Sequence, residues 1–250
     1  MKDLIKVELY KMQKRNCFLI IIIFNMISFL YGAGILLNWS WVSFSGKFDL
    51  IQYIGSIWQL LFLIGLPLIF FMYIGSSILG GEKVDGQILL EVTRVANRRK
   101  LVIAKMLAAF ILVLFYFAIN IIVSIFSYII FVRRTSNITQ ELVILDVDNI
   151  NLLITCLFGF TYIIILTFVA MYVSIKSNAV VATIAGTASY AVMSLIARIP
   201  GVCMFVPGYF ALTSDANIWW GSIVQQLLWC GVIIFGLFYI IRKEICKIDL

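Results

Sequence analysis

The 250-residue chain contains no histidine. That removes the commonest general base at neutral pH and the commonest metal ligand. Charged residues supply only 12% of it, against roughly 25% in soluble domains. No GxxxxGK[ST] phosphate-binding loop is present: Gly46-Lys47 is followed by Phe48, and Gly80-Gly81 by Glu82. Any dependence on ATP therefore has to come from another polypeptide. The five cysteines, Cys17, Cys156, Cys203, Cys230 and Cys246, form no CxxC pair. This argues against a disulfide framework or a thiolate metal cluster. No cofactor is expected.

What is abundant is apolar. Hydrophobic residues make up 63% of the chain and the mean hydropathy is +1.08, which places it among integral membrane proteins. A helix needs roughly 20 apolar residues to cross the hydrocarbon core. Six stretches reach that length, at about 17–37, 53–79, 104–132, 151–175, 178–197 and 220–241. None has a charged residue in its interior. The first run is too long for a signal core and lacks a small-residue cleavage site, so a cleavable leader is not expected.

An even number of spans puts both termini on one side. If that side is the cytoplasm, it collects 15 of the Lys and Arg residues and the other side keeps 4, namely Lys47, Arg133, Arg134 and Arg198. This positive-inside bias accounts for the net charge of +7 better than nucleic-acid binding does. Trp39, Trp41, Trp219 and Trp220 fall at the expected outer boundaries, where indole rings favour the headgroup layer.

The connecting segments differ in character. In residues 1–16, Met1, Leu4, Ile5, Leu9 and Met12 share one helical arc, with Lys2, Lys6, Gln13 and Lys14 opposite; Val7 and Tyr10 break the pattern. An interfacial helix leading into the first span is expected. Residues 198–218 hold Pro200, Gly201, Pro207 and Gly208 inside an apolar run too short to span twice. A broken, re-entrant or surface-lying segment fits, and an ordinary apolar loop is the plainer alternative. In span five, Ala182 and Gly186 lie four apart and let another helix approach, which marks helix packing more often than a substrate path. Pro67 removes a backbone hydrogen bond in span two, so a kink is expected there and with it a candidate gate, though packing accommodation explains it as well.

Ion-coupled carriers use intramembrane charges, and the midplane here offers only neutral polar groups such as Asn25, Gln59 and Asn120. Outside, Glu141, Asp146 and Asp148 read as a solvated acidic loop rather than a catalytic pair. Attention therefore falls on Gly80 to Lys105, the longest loop on the basic side, with nine of the 31 charged residues. Within it Ile88, Leu89, Val92 and Val95 form an apolar stripe at helical spacing, and Glu82, Lys83, Asp85, Glu91 and Arg94 take the other positions. Asp85 is a candidate cap for its start. Such a helix suits docking into a partner's groove; rest against the lipid interface is the competing reading.

This loop has an acidic residue (Glu82), a glycine (Gly86), an apolar helical stretch (Ile88 to Val95), then Arg98 or Arg99, and Lys105 opening the next span. In this it resembles the permease subunits of type-2 ABC exporters. The resemblance extends to the layout of the whole chain, a single transmembrane domain over residues 1–250. Gln87 stands where many relatives have threonine, and Ala96-Asn97 where proline is frequent.

The resemblance implies an all-α polytopic membrane protein. It would have six transmembrane helices, an N-terminal interfacial helix, a cytoplasmic coupling helix within residues 80–100 and a broken segment at 198–218. It also implies contact of Glu82, Asp85, Gly86, Ile88, Leu89, Glu91, Val92, Arg94 and Val95 with a separate ABC ATPase. Arg98, Arg99 and Lys105 would fix topology at the interface. The implied partners are that ATPase, a second permease chain, identical or paralogous, and the bilayer of a bacterial cytoplasmic membrane, with no nucleic acid. Compact relatives with short outer loops export peptides, as in lantibiotic immunity and phenol-soluble modulin export, so an amphipathic peptide cargo is the expectation. An ATP-independent carrier or a non-transporting immunity protein is the alternative, and a membrane enzyme lacks evident catalytic groups.

Overall fold

The computed structural model describes residues 1–40, 49–88, 91, 98–135, 141–212 and 220–245. Among them there are helices and turns and no strand. The chain begins with α1 (Lys2–Lys14), then α2 (Cys17–Asn25) and α3 (Ile27–Leu36), which together make the first long apolar helix. Next come α4 (Leu50–Ile64), α5 (Leu66–Ser76), a π turn at Ser77–Gly81 and the short α6 (Glu82–Val84). The long helices α7 (Arg98–Ile130), α8 (Val147–Ser174) and α9 (Ala179–Ile196) follow, then the short α10 (Tyr209–Leu212) and finally α11 (Trp220–Ile245).

Among the described residues, five helices are long and apolar enough to cross a membrane: Cys17–Leu36, Arg98–Arg134, Val147–Ser174, Ala179–Ile196 and Trp220–Glu244. Where the second span was expected there is a bent pair, Leu50–Ile64 with Leu66–Val84, turned through 63°, the geometry of a broken span or a re-entrant loop. Several passes through a membrane follow from this. The bend corrects the reading of a single helix over 53–79 kinked by Pro67. The break falls at Gly65, which adopts a left-handed φ of 74° with no atom within 4 Å of the Cβ it lacks. Glycine takes this conformation without steric cost. Pro67 sits one residue into the following helix, where its missing N–H has no intrahelical partner to lose.

α8 is the central post. Gly75 of α5 and Gly80 of the π turn lie so close that an added Cβ would stand 2.8 Å from the backbone oxygens of Thr167 and Ser174. Gly186 of α9 faces Met72 and Ala170 in the same way, at 2.7 and 3.5 Å, and Ala182 beside it is fully buried. Small residues thus let three helices close on one another, the packing mode that apolar solvent favours. The outer faces of α9 and α11 are apolar and exposed, including Val180, Ile184, Leu195, Leu228 and Phe235.

A polar seam joins the first span to α7. Asn120 donates to Asn25 Oδ1 at 2.9 Å, and Asn25 donates to Ile21 O at 2.8 Å. Ser28 and Ser124 lie 3.2 Å apart, while Ser127 and Tyr53 both donate to Ser28 O. Two of the neutral midplane residues, Asn25 and Asn120, therefore hold helices together inside the bundle, with Asn120 Oδ1 left without a partner among the described residues.

The two ends of the bundle are distinct. At one end Lys83 donates to Ile175 O at 2.9 Å, and Lys176 lies 4.0 Å from Glu244 near the end of α11. At the other, buried Asp49 caps α4 by accepting from Gln52 N at 2.8 Å and also accepts from Ile144 N and Asn149 Nδ2. Asp146 caps α8 there, accepting from Asn149 N at 3.1 Å. The described part of 198–218 forms a 3₁₀ turn at Cys203–Phe205 and then α10. It folds back on the bundle, with Phe210 buried, Gly208 against Tyr162, and Gln226 of α11 donating to Met204 O and Val206 O.

Candidate functional site

The N-terminal helix, the loop after the bent pair and the start of α7 meet in a buried cluster of charge. α1 brings Glu8 and Lys11, with Arg15 at its C-cap. Glu82 follows directly on the π turn. A π turn accommodates one residue more than an α turn, and Glu82 after it lies inside the bundle. Glu91 comes from the loop, and Lys105 lies about two turns into α7.

Lys105 is the hub. Its Nζ lies 3.0 Å from Glu8 Oε1 and 3.0 Å from Glu91 Oε2, and it also donates to Glu82 Oε2. Lys11 bridges the same three carboxylates, at 3.2 Å from Glu8 and 3.4 Å from Glu82, with a hydrogen bond to Glu91. Arg15 adds a contact to Glu82 Oε1 at 3.1 Å. Glu82 and Lys105 are each 1% exposed and Glu8 is 3% exposed.

Among the described residues, three carboxylates against three cations leave no net charge, the condition under which buried ions are tolerated. Burial works against the charged form of Lys11, but its hydrogen bond to Glu91 and the charges of Glu8 and Glu82 outweigh that and raise its pKa. Burial likewise opposes ionisation of Glu91, and the bond to Lys11 with the charge of Lys105 lowers its pKa all the same.

Carboxylate oxygens of Glu8, Glu82 and Glu91 lie within 4.8 Å of one another, a spacing that a metal ion would also use. The ammonium groups of Lys105 and Lys11 already stand among them, so the residues present do not fit a metal.

The sequence-predicted loop residues divide. Glu82 and Lys105 face inward, whereas Lys83, Val84, Asp85 and Gln87 are exposed. Asp85 closes α6 as its C-cap, and the helix resumes at Gln87 after Gly86, whose φ is 69°. Asp85 thus stands two residues before the restart rather than capping it. Arg99 is exposed and Arg98 half-buried at the start of α7. Leu89, Val92, Arg94 and Val95 lie outside the described residues. Glu8, Lys11 and Arg15 were not expected in a site.

These features define a multi-pass helical membrane protein with a neutralised charge cluster at one end of the bundle. Comparison with family models, with curated proteins and with solved structures finds no match to the chain.

Proposed function

We propose that the chain is the transmembrane permease subunit of an ATP-driven exporter of the type-2 ABC kind. It works as one of a pair in a bacterial cytoplasmic membrane and moves amphipathic peptides or similar hydrophobic cargo. The supporting observation is the charge cluster, which fastens the loop through Glu82 and Glu91 to α1 through Glu8 and Lys11 and to α7 through Lys105. A load applied to the exposed side of the loop, at Val84 and Asp85, passes into two membrane-proximal helices without the loop sliding. The Gly65 break then lets α4 swing relative to α5, which Gly75 and Gly80 hold against α8. Pro67 beside the break is the candidate gate.

In this account ATP binding closes the separate ATPase subunits, and that closure is the load. The chain's own residues supply a stiff lever and a hinge, and no catalysis. Away from their ends, the described spans carry no Asp, Glu, Lys or Arg beyond Lys105, which supports an external source of energy over ion coupling.

The test is isolation of the tagged chain from its native membrane in mild detergent. An ABC ATPase should accompany it in stoichiometric amount, and the complex should hydrolyse ATP. Isolation of the chain without such a subunit, together with ionophore-sensitive solute movement by the chain alone in liposomes, would establish the carrier reading instead.

A further inference from the structure

At the end of the bundle remote from the charge cluster, α3, α4, α8, α9 and α10 line an open cavity of about 460 Å³. That is within the roughly 300–1,000 Å³ of small-ligand sites. Phe62, Tyr190 and Leu212 supply apolar wall, and Ser56, Gln59 and Thr155 supply polar groups. Among the described residues no charged side chain lines it.

We infer that this cavity binds an uncharged amphipathic ligand bearing an amide beside an aromatic or branched alkyl group, and that Gln59 holds the amide. Gln59 lies in the middle of α4, is exposed, and makes no hydrogen bond among the described residues. An exposed carboxamide on an otherwise apolar helix offers its donors and acceptor to a ligand in the cavity. The amide nitrogens of Asn25, Asn120 and Gln226, by contrast, are buried and donate within the chain, although the Asn120 and Gln226 oxygens have no partner among the described residues.

The neighbouring groups narrow the ligand's chemistry. The hydroxyl hydrogens of Ser56 and Thr155 are committed to Gln52 O at 2.7 Å and Asn151 O at 2.9 Å. What these two present to the cavity is therefore acceptor capacity, while Gln59 brings two donors and one acceptor. An amide, which donates and accepts side by side, matches that set. Among the described lining residues a carboxylate finds no cation and an ammonium no anion, which favours an uncharged ligand.

Beside the wall, the rings of Phe62, Tyr162 and Tyr190 form a triangle with centroids 6.2, 6.2 and 6.4 Å apart. Such a cluster packs an aromatic or branched alkyl group well. The buried Tyr162 hydroxyl has no hydrogen-bond partner among the described residues.

The site lies within one chain and needs neither nucleotide nor a second copy, so its test is separable from the exporter reading. The full chain in phosphatidylcholine nanodiscs is photolysed with N-acetyl-phenylalanyl-photoleucine amide, an uncharged dipeptide amide carrying a diazirine, and adducts are mapped by mass spectrometry. Labelling should concentrate on residues 56–63 and around Tyr190, and N-acetyl-phenylalanyl-leucine amide should compete. The same dipeptide with a free carboxylate should not compete. Gln59→Leu should reduce labelling about tenfold, the scale of one lost amide interaction. Thr155→Val serves as the second variant if Gln59→Leu cannot be extracted folded. Labelling that is absent, unchanged in both variants, or equally strong along α11 overturns the inference. So does displacement of the probe by a diazirine-tagged phosphatidylcholine, which would make the cavity an acyl-chain groove.

Discussion

Lys105 Nζ lies 3.0 Å from Glu8 Oε1 across 97 residues of chain, and both side chains are buried. Neither has water to fall back on if the other is lost. Removing one partner of a buried ion pair typically costs about 3–5 kcal/mol, so Lys105→Met is expected to destabilise the chain on that scale in reversible unfolding from mixed micelles. The Lys105→Met/Glu8→Gln double variant should lose less than the sum of the two singles, by about 0.5–3 kcal/mol. Strict additivity would show that the pair is not coupled.

The same cluster sets a pH window. Glu91 has its pKa lowered from the ordinary 4.5 despite burial, through Lys11 and Lys105. Its contribution is present above 4.5 and is lost as pH falls through the lowered value. Lys11 has its pKa raised from the ordinary 10.5, because its carboxylate partners outweigh burial. Its contribution is complete below 10.5 and is lost as pH rises through the raised value. Thermal unfolding should therefore show a plateau between these limits with an acid limb that Glu91→Gln flattens. An identical acid limb in wild type and Glu91→Gln would remove Glu91 from the cluster.

Close approach at α8 predicts position-specific intolerance of methyl groups. Gly75→Ala places a Cβ 2.8 Å from Thr167 O, with backbone rather than a flexible tip in the way. A loss of about 1–3 kcal/mol is expected from such overpacking. Gly236→Ala, with nothing within 4 Å of the added atom, should stay within about 0.5 kcal/mol of wild type. Comparable losses at the two positions would contradict the packing described.

At the opposite end, Asp49 holds the loop before α8 through Ile144 N at 3.1 Å while it caps α4. Asp49→Ala should cost about 0.5–2 kcal/mol for the cap alone. It should also speed hydrogen exchange at the Ile144 amide. Unchanged exchange there would mean the loop is held by other contacts.

Much of the fold was legible because each long helix is a separate apolar run, and burial in lipid requires that run to be written locally. The break in the second span was less so. Pro67 drew the expectation of a kink, yet proline near a helix start is compatible with helix, and Gly65 two residues earlier makes the turn. The charge cluster was hidden for a different reason. Glu8 falls on the apolar arc of α1, between Ile5 and Met12, and an acid on that arc signals a buried partner. Its partner Lys105 opens an apolar run, where a lysine reads equally well as a topology marker. Pairing over such a separation leaves no local spacing to detect. The loop stripe of Leu89, Val92 and Val95 lies outside the described residues, so its expected docking role rests on the sequence pattern.

The central claim is that energy enters through the exposed face of the loop after the second span. A photo-reactive amino acid at Val84, which is 65% exposed, tests it directly in native membranes. The account predicts a single high-mass adduct between this chain and a nucleotide-hydrolysing subunit, its yield changing when a non-hydrolysable ATP analogue is added. Adducts to lipid alone, insensitive to nucleotide, would contradict it.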